Sequence, residues 1–177
     1  MAIFFVCGCH KSGNLVKFES IDGSAGNIDI NALKNTPFLN VKTGLTETID
    51  SAESRFVLIV LLKAADCPRC LKETEEWNKL SREYSTKDLK VIALVEKTSV
   101  EETKMLVKGF DIPFTVLVDS DGKLLNSSEL PTITPHKFLF EGDQVVLQDG
   151  PGVTPESQAS FGRGVKRLIE EHGQVQQ

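Results

Sequence analysis

The sequence predicts an α/β fold with a mixed central sheet and helices on both of its faces. Three observations lead there. Residues 56–62 form an unbroken apolar run rich in β-branched types, the pattern of a strand buried on both faces and too short to cross a bilayer. Two similar runs, at 89–95 and 113–118, alternate with amphipathic stretches, as parallel strands joined by crossover helices do. Residues 136–140 and 144–147, separated by Glu141-Gly142-Asp143, then read as an antiparallel hairpin that closes the sheet ahead of a last helix.

Each element has its own warrant. Residues 1–9 are an apolar run that ends in Gly8-Cys9, and 10–37 are rich in Gly, Ser and Asn with a weak apolar pattern, the composition of a linker or extension. The domain proper is expected over 38–173. It opens with a β-hairpin extension, in which 38–41 and 45–49 alternate about Lys42-Thr43-Gly44. After the strand at 56–62, Leu71, Thr74, Trp77, Leu80 and Tyr84 recur at helical spacing, with Pro68 at the first helical position and Trp77 in the core. Glu75, Glu76, Lys79, Arg82 and Glu83 make that helix's wet face, and Lys63 is a solvated strand-end lysine. Ser99 and Glu102 form a capping box for a second helix, whose apolar face is Met105, Leu106, Val107 and Phe110 and which ends near Gly109. Residues 119–122 are a turn by composition. Thr154 caps the last helix, Pro155 begins it, and Phe161, Val165, Leu168 and Ile169 line one face. From His172 the tail is polar and frayed, with 174–177 outside the domain.

Composition narrows the function classes. A chain of 177 residues buries about two thirds of its unfolded surface and needs no covalent staples. Its four cysteines fall into two close pairs, Cys7 with Cys9 and Cys67 with Cys70, which is the spacing of two local devices and not of a framework. A net charge of −5 with both signs interspersed leaves no basic stripe, which sets nucleic acid aside as a partner.

The chemistry concentrates where the first buried run ends, at Cys67-Pro68-Arg69-Cys70. With Pro68 at the first helical position, Cys67 stands at the helix cap, where unpaired N–H groups and the positive end of the helix dipole favour thiolate over thiol. Arg69 pushes the same way and Asp66 opposes it. The pattern reads as a redox-active dithiol. Cys67 is the exposed nucleophile and Cys70, a turn deeper, resolves the mixed disulfide. Such chemistry calls for no cofactor, because the electrons reside on the two sulfurs. Half of a zinc site is the commonest competitor, but a structural zinc needs two further ligands and the chain has no second such pair on its folded elements. His136 reads as a strand-edge histidine satisfied by solvent. Its alternative is a Cu(I) site with Cys67 and Cys70, which keeps a metallochaperone open. A non-catalytic interaction module is the third reading.

These residues carry a resemblance. From about Phe38 to Gly173 the chain resembles thioredoxin-like proteins of the TlpA/ResA type, thiol-disulfide oxidoreductases of the bacterial envelope. The hydrophobic strand, Cys67-Pro68-Arg69-Cys70, the following Leu71-Lys72-Glu73, the added strand–helix unit and Thr134-Pro135 ahead of the last hairpin all match. The resemblance implies a thioredoxin-like fold and protein thiols and disulfides as partners. It also implies a cis Pro135 facing the dithiol, backbone hydrogen bonds from Thr134 to the substrate chain, and a proton-handling role for Glu73, three residues past Cys70. Two departures stand out. Ala64-Ala65-Asp66 replaces the aromatic residue that usually precedes the first cysteine, and Leu61 occupies the place where thioredoxin keeps a buried acid. A peroxiredoxin is disfavoured, since that family has Thr or Ser three residues before its reactive cysteine and this chain has Ala64. Finally, Val6, Gly8 and Cys9 resemble the end of a bacterial lipoprotein signal with Cys9 as the lipidated residue, although no charged segment precedes the short apolar run. That implies an envelope location with a lipid anchor as the only membrane contact; a cytoplasmic location is the alternative.

Overall fold

The computed structural model describes residues 15–19, 25–49, 54–63, 71–84, 86–96, 98–120, 122, 134–152 and 154–173. In chain order these form β1 (Leu15–Glu19), β2 (Ala25–Asp29), α1 (Ile30–Asn35), β3 (Phe38–Asn40), β4 (Thr46–Glu47), β5 (Phe56–Lys63) and α2 (Thr74–Glu83). They continue as β6 (Leu89–Glu96), α3 (Val100–Gly109), β7 (Thr115–Asp119), β8 (His136–Glu141), β9 (Gln144–Asp149) and α4 (Pro155–Gly173). Among the described residues, strands β1 and β2 pair with each other, and the remaining strands make a seven-stranded mixed sheet in the order β4-β3-β7-β6-β5-β8-β9.

The sheet is built outward from β5. Its register runs parallel to β6 from Phe56 opposite Leu89 to Lys63 opposite Glu96, and antiparallel to β8 from Phe56 opposite Glu141 to Leu61 opposite His136. Side chains of successive strand residues point to opposite faces. Phe56, Leu58, Val60 and Leu62 therefore join one apolar cluster, with Trp77 and Leu80 of α2, Leu106 of α3 and Phe161, Val165 and Ile169 of α4. Val57, Ile59 and Leu61 join the other, with Leu33 of α1, Phe38, Phe138 and Phe140. Connectivity explains why α2 and α3 share a face. The steps β5 to β6 and β6 to β7 move the same way across the sheet, and right-handed crossovers put both helices on the same side. Helix α1 packs on the opposite face, so helices cover both. The mixed sheet and the α/β class are as the sequence predicts.

Local signals reappear with their geometry. The Ser99 hydroxyl accepts from the backbone N–H of Glu102 at 3.2 Å while the Glu102 carboxylate accepts from the backbone N–H of Ser99 at 3.0 Å, a complete capping box. The Thr154 hydroxyl accepts from the backbone N–H of Ser157 at 3.1 Å, ahead of Pro155. Gly142, with φ of 58°, supplies the left-handed residue in the β8–β9 turn. The hairpin of β3 and β4 adds to the sheet edge through antiparallel pairing of β3 with β7.

Five expectations change. Part of the 10–37 segment expected to be a linker is regular structure, the β1–β2 hairpin and α1, and Leu33 is buried at 1% exposure. The weak pattern there is that of elements too short to repeat their period more than once or twice. The helix expected to run unbroken from Pro68 instead has a turn at 72–73, after which α2 starts with tight bonds from Glu75 N–H to the Lys72 carbonyl and from Glu76 N–H to the Glu73 carbonyl. Met105 is 67% exposed, because Thr103, Leu106, Val107 and Phe110 already define the inward face of α3 and Met105 lies about 100° around the helix from Leu106. Lys63 is no free strand end but faces Glu96 at 3.7 Å. The chain near His172 is also tied down, its imidazole Nδ1 3.0 Å from the Glu141 carboxylate and its carbonyl accepting from Arg55 at 2.8 Å.

Replacing Ser99 with Ala is expected to cost about 1 kcal/mol by leaving a first-turn N–H of α3 without its cap. Urea unfolding should show a lower midpoint at unchanged slope; an unchanged midpoint would mean that the capping box contributes nothing.

Candidate active site

Cys67, Pro68, Arg69 and Cys70 lie outside the described residues, as does Cys9. What the fold supplies is the surroundings of that segment. Lys63 is the last residue of β5 and Leu71, 5% exposed, is the first described residue beyond the cysteines. On the neighbouring strand the Thr134–Pro135 peptide bond is cis. His136 pairs with Leu61, so Pro135 comes level with the carboxyl end of β5, the end from which the chain runs into Cys67. Thr134 is 7% exposed. Functional groups of parallel strand–helix units gather at this end of the strands.

His136 is not at an edge. Strand β8 lies between β5 and β9, the residue is 3% exposed, and its ring sits 5.9 Å from that of Phe138. The solvated strand-edge reading is therefore corrected by the order of the strands. Of the three residues in the copper alternative, His136 alone is among the described ones. Among those residues no group of three or more His, Cys, Asp or Glu side chains is arranged to hold a metal.

Beneath the start of α2 lies a buried charge network. Glu73 and Lys137 have side chains at 0% exposure and are ion-paired, Lys137 Nζ donating to Glu73 Oε1. The other carboxylate oxygen accepts from the backbone N–H of Gly152 at 3.1 Å. Lys137 Nζ also lies 3.4 Å from Asp149 Oδ2, whose side chain is 31% exposed, and 5.1 Å from the centre of the Phe161 ring. The network thus joins four elements: the start of α2, β8, the end of β9 with the loop after it, and α4. Period two explains Lys137, because Phe138 and Phe140 point to one face of β8 while Lys137 and Leu139 point to the other, under α2 and α4.

Burial pushes the Glu73 carboxyl above its ordinary range; the Lys137 ammonium and the Gly152 N–H offset part of that, and Asp149 adds to the rise. Two carboxylates share one ammonium, so the network carries an unbalanced negative charge when both acids are ionised. A proton on Glu73 removes it. Glu73 lies three residues after Cys70 in the sequence.

A family model described as Redoxin matches residues 33–162. The chain belongs to the Redoxin family. Over 92 residues it is 29% identical to the thiol-disulfide oxidoreductase ResA of Bacillus thuringiensis subsp. konkukian, an alignment that takes in 52% of this chain and 53% of that one. The chain therefore spans about half the length of the curated relatives it matches. Among solved structures, a secreted disulfide oxidoreductase of Mycobacterium tuberculosis superposes with a TM-score of 0.61 at 16% identity, covering 77% of this chain and 98% of that one. PrxQ of Xylella fastidiosa does so with a TM-score of 0.63 at 15% identity, covering 77% and 91%. Such identities establish likeness of fold. Together with the Redoxin match they give the chain a thioredoxin-like fold.

Lys137, Asp149 and Gly152 are the site-forming residues that sequence reasoning missed. Lys137 had a signal, since a lysine within a short apolar run has to bury its charge or break the strand. Asp149-Gly150-Pro151-Gly152 has only the composition of a turn. Gly152 is constrained by contact: a Cβ there would lie 2.7 Å from Gln158 Cγ and 2.9 Å from that residue's Cα and N.

Gly152→Ala is accordingly expected to destabilise the protein by roughly 1–3 kcal/mol, as overpacking against backbone does. Denaturant midpoints test this, and full stability would mean that the loop yields freely. A second expectation concerns pH. A carboxyl whose folded pKa is raised contributes its stability below the unfolded value and loses it as pH rises through the folded value. Relative to Glu73→Gln, wild type should lose stability as pH rises above 4.5, the ordinary value for the group. Urea titrations of both proteins from about pH 4 to pH 8 would measure it, and a constant difference between them would contradict it.

Proposed function

We propose that this chain is a thiol-disulfide oxidoreductase that exchanges disulfides with protein substrates through Cys67-Pro68-Arg69-Cys70. The observation that carries the proposal is the alignment of Pro135 with the carboxyl end of β5, set by Leu61 opposite His136. It brings the Thr134-Pro135 segment beside the strand end that leads into the Cys-x-x-Cys motif. Membership of the Redoxin family and the stretch of likeness to ResA support the same reading.

In the reducing direction the Cys67 thiolate attacks one sulfur of a substrate disulfide. A mixed disulfide forms and the other substrate sulfur leaves as thiolate. Cys70, deprotonated, then attacks the Cys67 sulfur, closing the Cys67–Cys70 disulfide and releasing the second substrate thiolate; two electrons pass from dithiol to substrate. Both departing thiolates take up protons, and Glu73 is the group that moves a proton at the dithiol. Thr134 offers backbone hydrogen bonds to the substrate chain, Pro135 forms the surface beside it, and Pro68 and Arg69 flank the nucleophile. The reverse sequence oxidises. The working compartment is the bacterial envelope, where protein disulfides persist, and Cys9 is a lipidation site that holds the chain at the membrane. The domain that does this work is 38–173, preceded by the 10–37 extension and followed by the polar 174–177.

A redox titration of the full chain in glutathione and dithiothreitol buffers, with free thiols trapped and Cys67 and Cys70 counted by mass, tests the proposal. The expected result is one reversible two-electron transition that is absent in Cys67→Ser. A midpoint near about −270 mV would mark a reductase and one near about −120 mV an oxidant. If no Cys67–Cys70 disulfide forms at any potential, the proposal fails.

A further inference from the structure

Lys137 has no place in the disulfide exchange just described, yet its charge is fully enclosed, with a side chain at 0% exposure. A lysine so buried needs compensation, and here it has two carboxylates and the face of an aromatic ring. The two carboxylates are unlike. Glu73 is enclosed with the lysine and held on its far side by the Gly152 N–H, whereas Asp149 is 31% exposed. The arrangement is a line from solvent through Asp149 and Lys137 to Glu73, with one ammonium balancing two acids.

We propose that Lys137 and Asp149 are positioning residues that set, in opposite senses, the protonation of Glu73 and through it the pH dependence of the dithiol; the link to the dithiol rests on the function proposed above. Lys137 is the cation that lets Glu73 ionise inside the protein, and its hydrogen bond fixes the carboxylate beneath the first turn of α2. Asp149 competes for the same ammonium and, as a second negative charge, favours the protonated form of Glu73. Among the described residues, the charged groups acting on Glu73 from the elements packed against it are Lys137 of β8 and Asp149 of β9, and α4 presents the neutral ring of Phe161 to Lys137. Removing the lysine and removing the aspartate should therefore move Glu73 in opposite directions. A cluster that only braced the fold would leave the pH dependence of the dithiol in place while the Glu73 carboxyl moved.

The test uses the full chain, reduced, in four forms: wild type, Lys137→Met, Lys137→Arg and Asp149→Asn. The Glu73 carboxyl is followed by carbon NMR across pH, its signal assigned by its loss in Glu73→Gln. In parallel, the rate of Cys67 alkylation by iodoacetamide is measured across pH by peptide mass. The expected result is a Glu73 midpoint that rises in Lys137→Met, falls in Asp149→Asn and returns toward wild type in Lys137→Arg. The alkylation profile should show an inflection that moves with it and is absent in Glu73→Gln. Should Lys137→Met fail to fold, Asp149→Asn decides alone: a lowered midpoint supports the proposal, and an unmoved or raised one overturns it. Midpoints that move together in Lys137→Met and Asp149→Asn overturn it, as does an alkylation inflection that stays in place while the carboxyl moves. The carboxyl readout needs no disulfide, so failure of the oxidoreductase reading, seen in the redox titration, remains distinct from failure of this one.

Discussion

Strand β5 is buried on both faces and hydrogen-bonded along both edges, and that constraint governs the rest of the structure. A strand in this position has room only for apolar side chains, each worth about 1.5–3 kcal/mol when fully enclosed, and residues 56–62 supply nothing else. Parallel pairing with β6 requires a crossover between the two strands, and α2 lies in it. Antiparallel pairing with β8 brings Thr134-Pro135 to the same end. One strand thus sets the level of Thr134-Pro135 and the strand end from which the crossover departs.

The same constraint explains where the buried charge resides. The core residues of β5 are all apolar, and Leu61, at the place where thioredoxin keeps a buried acid, belongs to the apolar cluster on the face turned away from α2. Charge instead enters from the flanks, Lys137 from β8 and Glu73 from the start of α2. A buried ion pair is a poor source of net stability, because desolvation offsets its attraction and a well-packed apolar pair often does as well. Its value lies in geometry. The pair ties the start of α2 to the sheet at the level of the turn at 72–73, and the Gly152 N–H closes the other side of the carboxylate.

Much of this was legible in the residues, unevenly so. The long periodic elements β5, β6, α3 and α4 declare themselves through apolar runs, the Ser99–Glu102 box and Thr154-Pro155, since caps and periodicity are local properties. The 15–35 region does not, because two five-residue strands and a six-residue helix are too short to set up a sustained period. Met105 misled because an apolar residue beside a true core position looks the same in sequence, and only the direction of the neighbouring sheet separates them. His136 misled in a different way: the edge or centre position of a strand is a property of strand order.

By itself the sequence determined the α/β class, the places of the main strands and helices, and a Cys-x-x-Cys motif at a strand end with Glu73 three residues beyond it. These follow from short-range chemistry: hydrophobic period, capping, and the φ restriction of proline. Tertiary structure alone decided that Lys137 and Asp149 meet Glu73, that Gly152 must remain without a side chain, and that Pro135 stands level with the end of β5. The first and last of these join residues more than 60 positions apart, 64 in the case of Glu73 and Lys137. Contacts of that kind arise from strand order and helix packing, which no local pattern encodes.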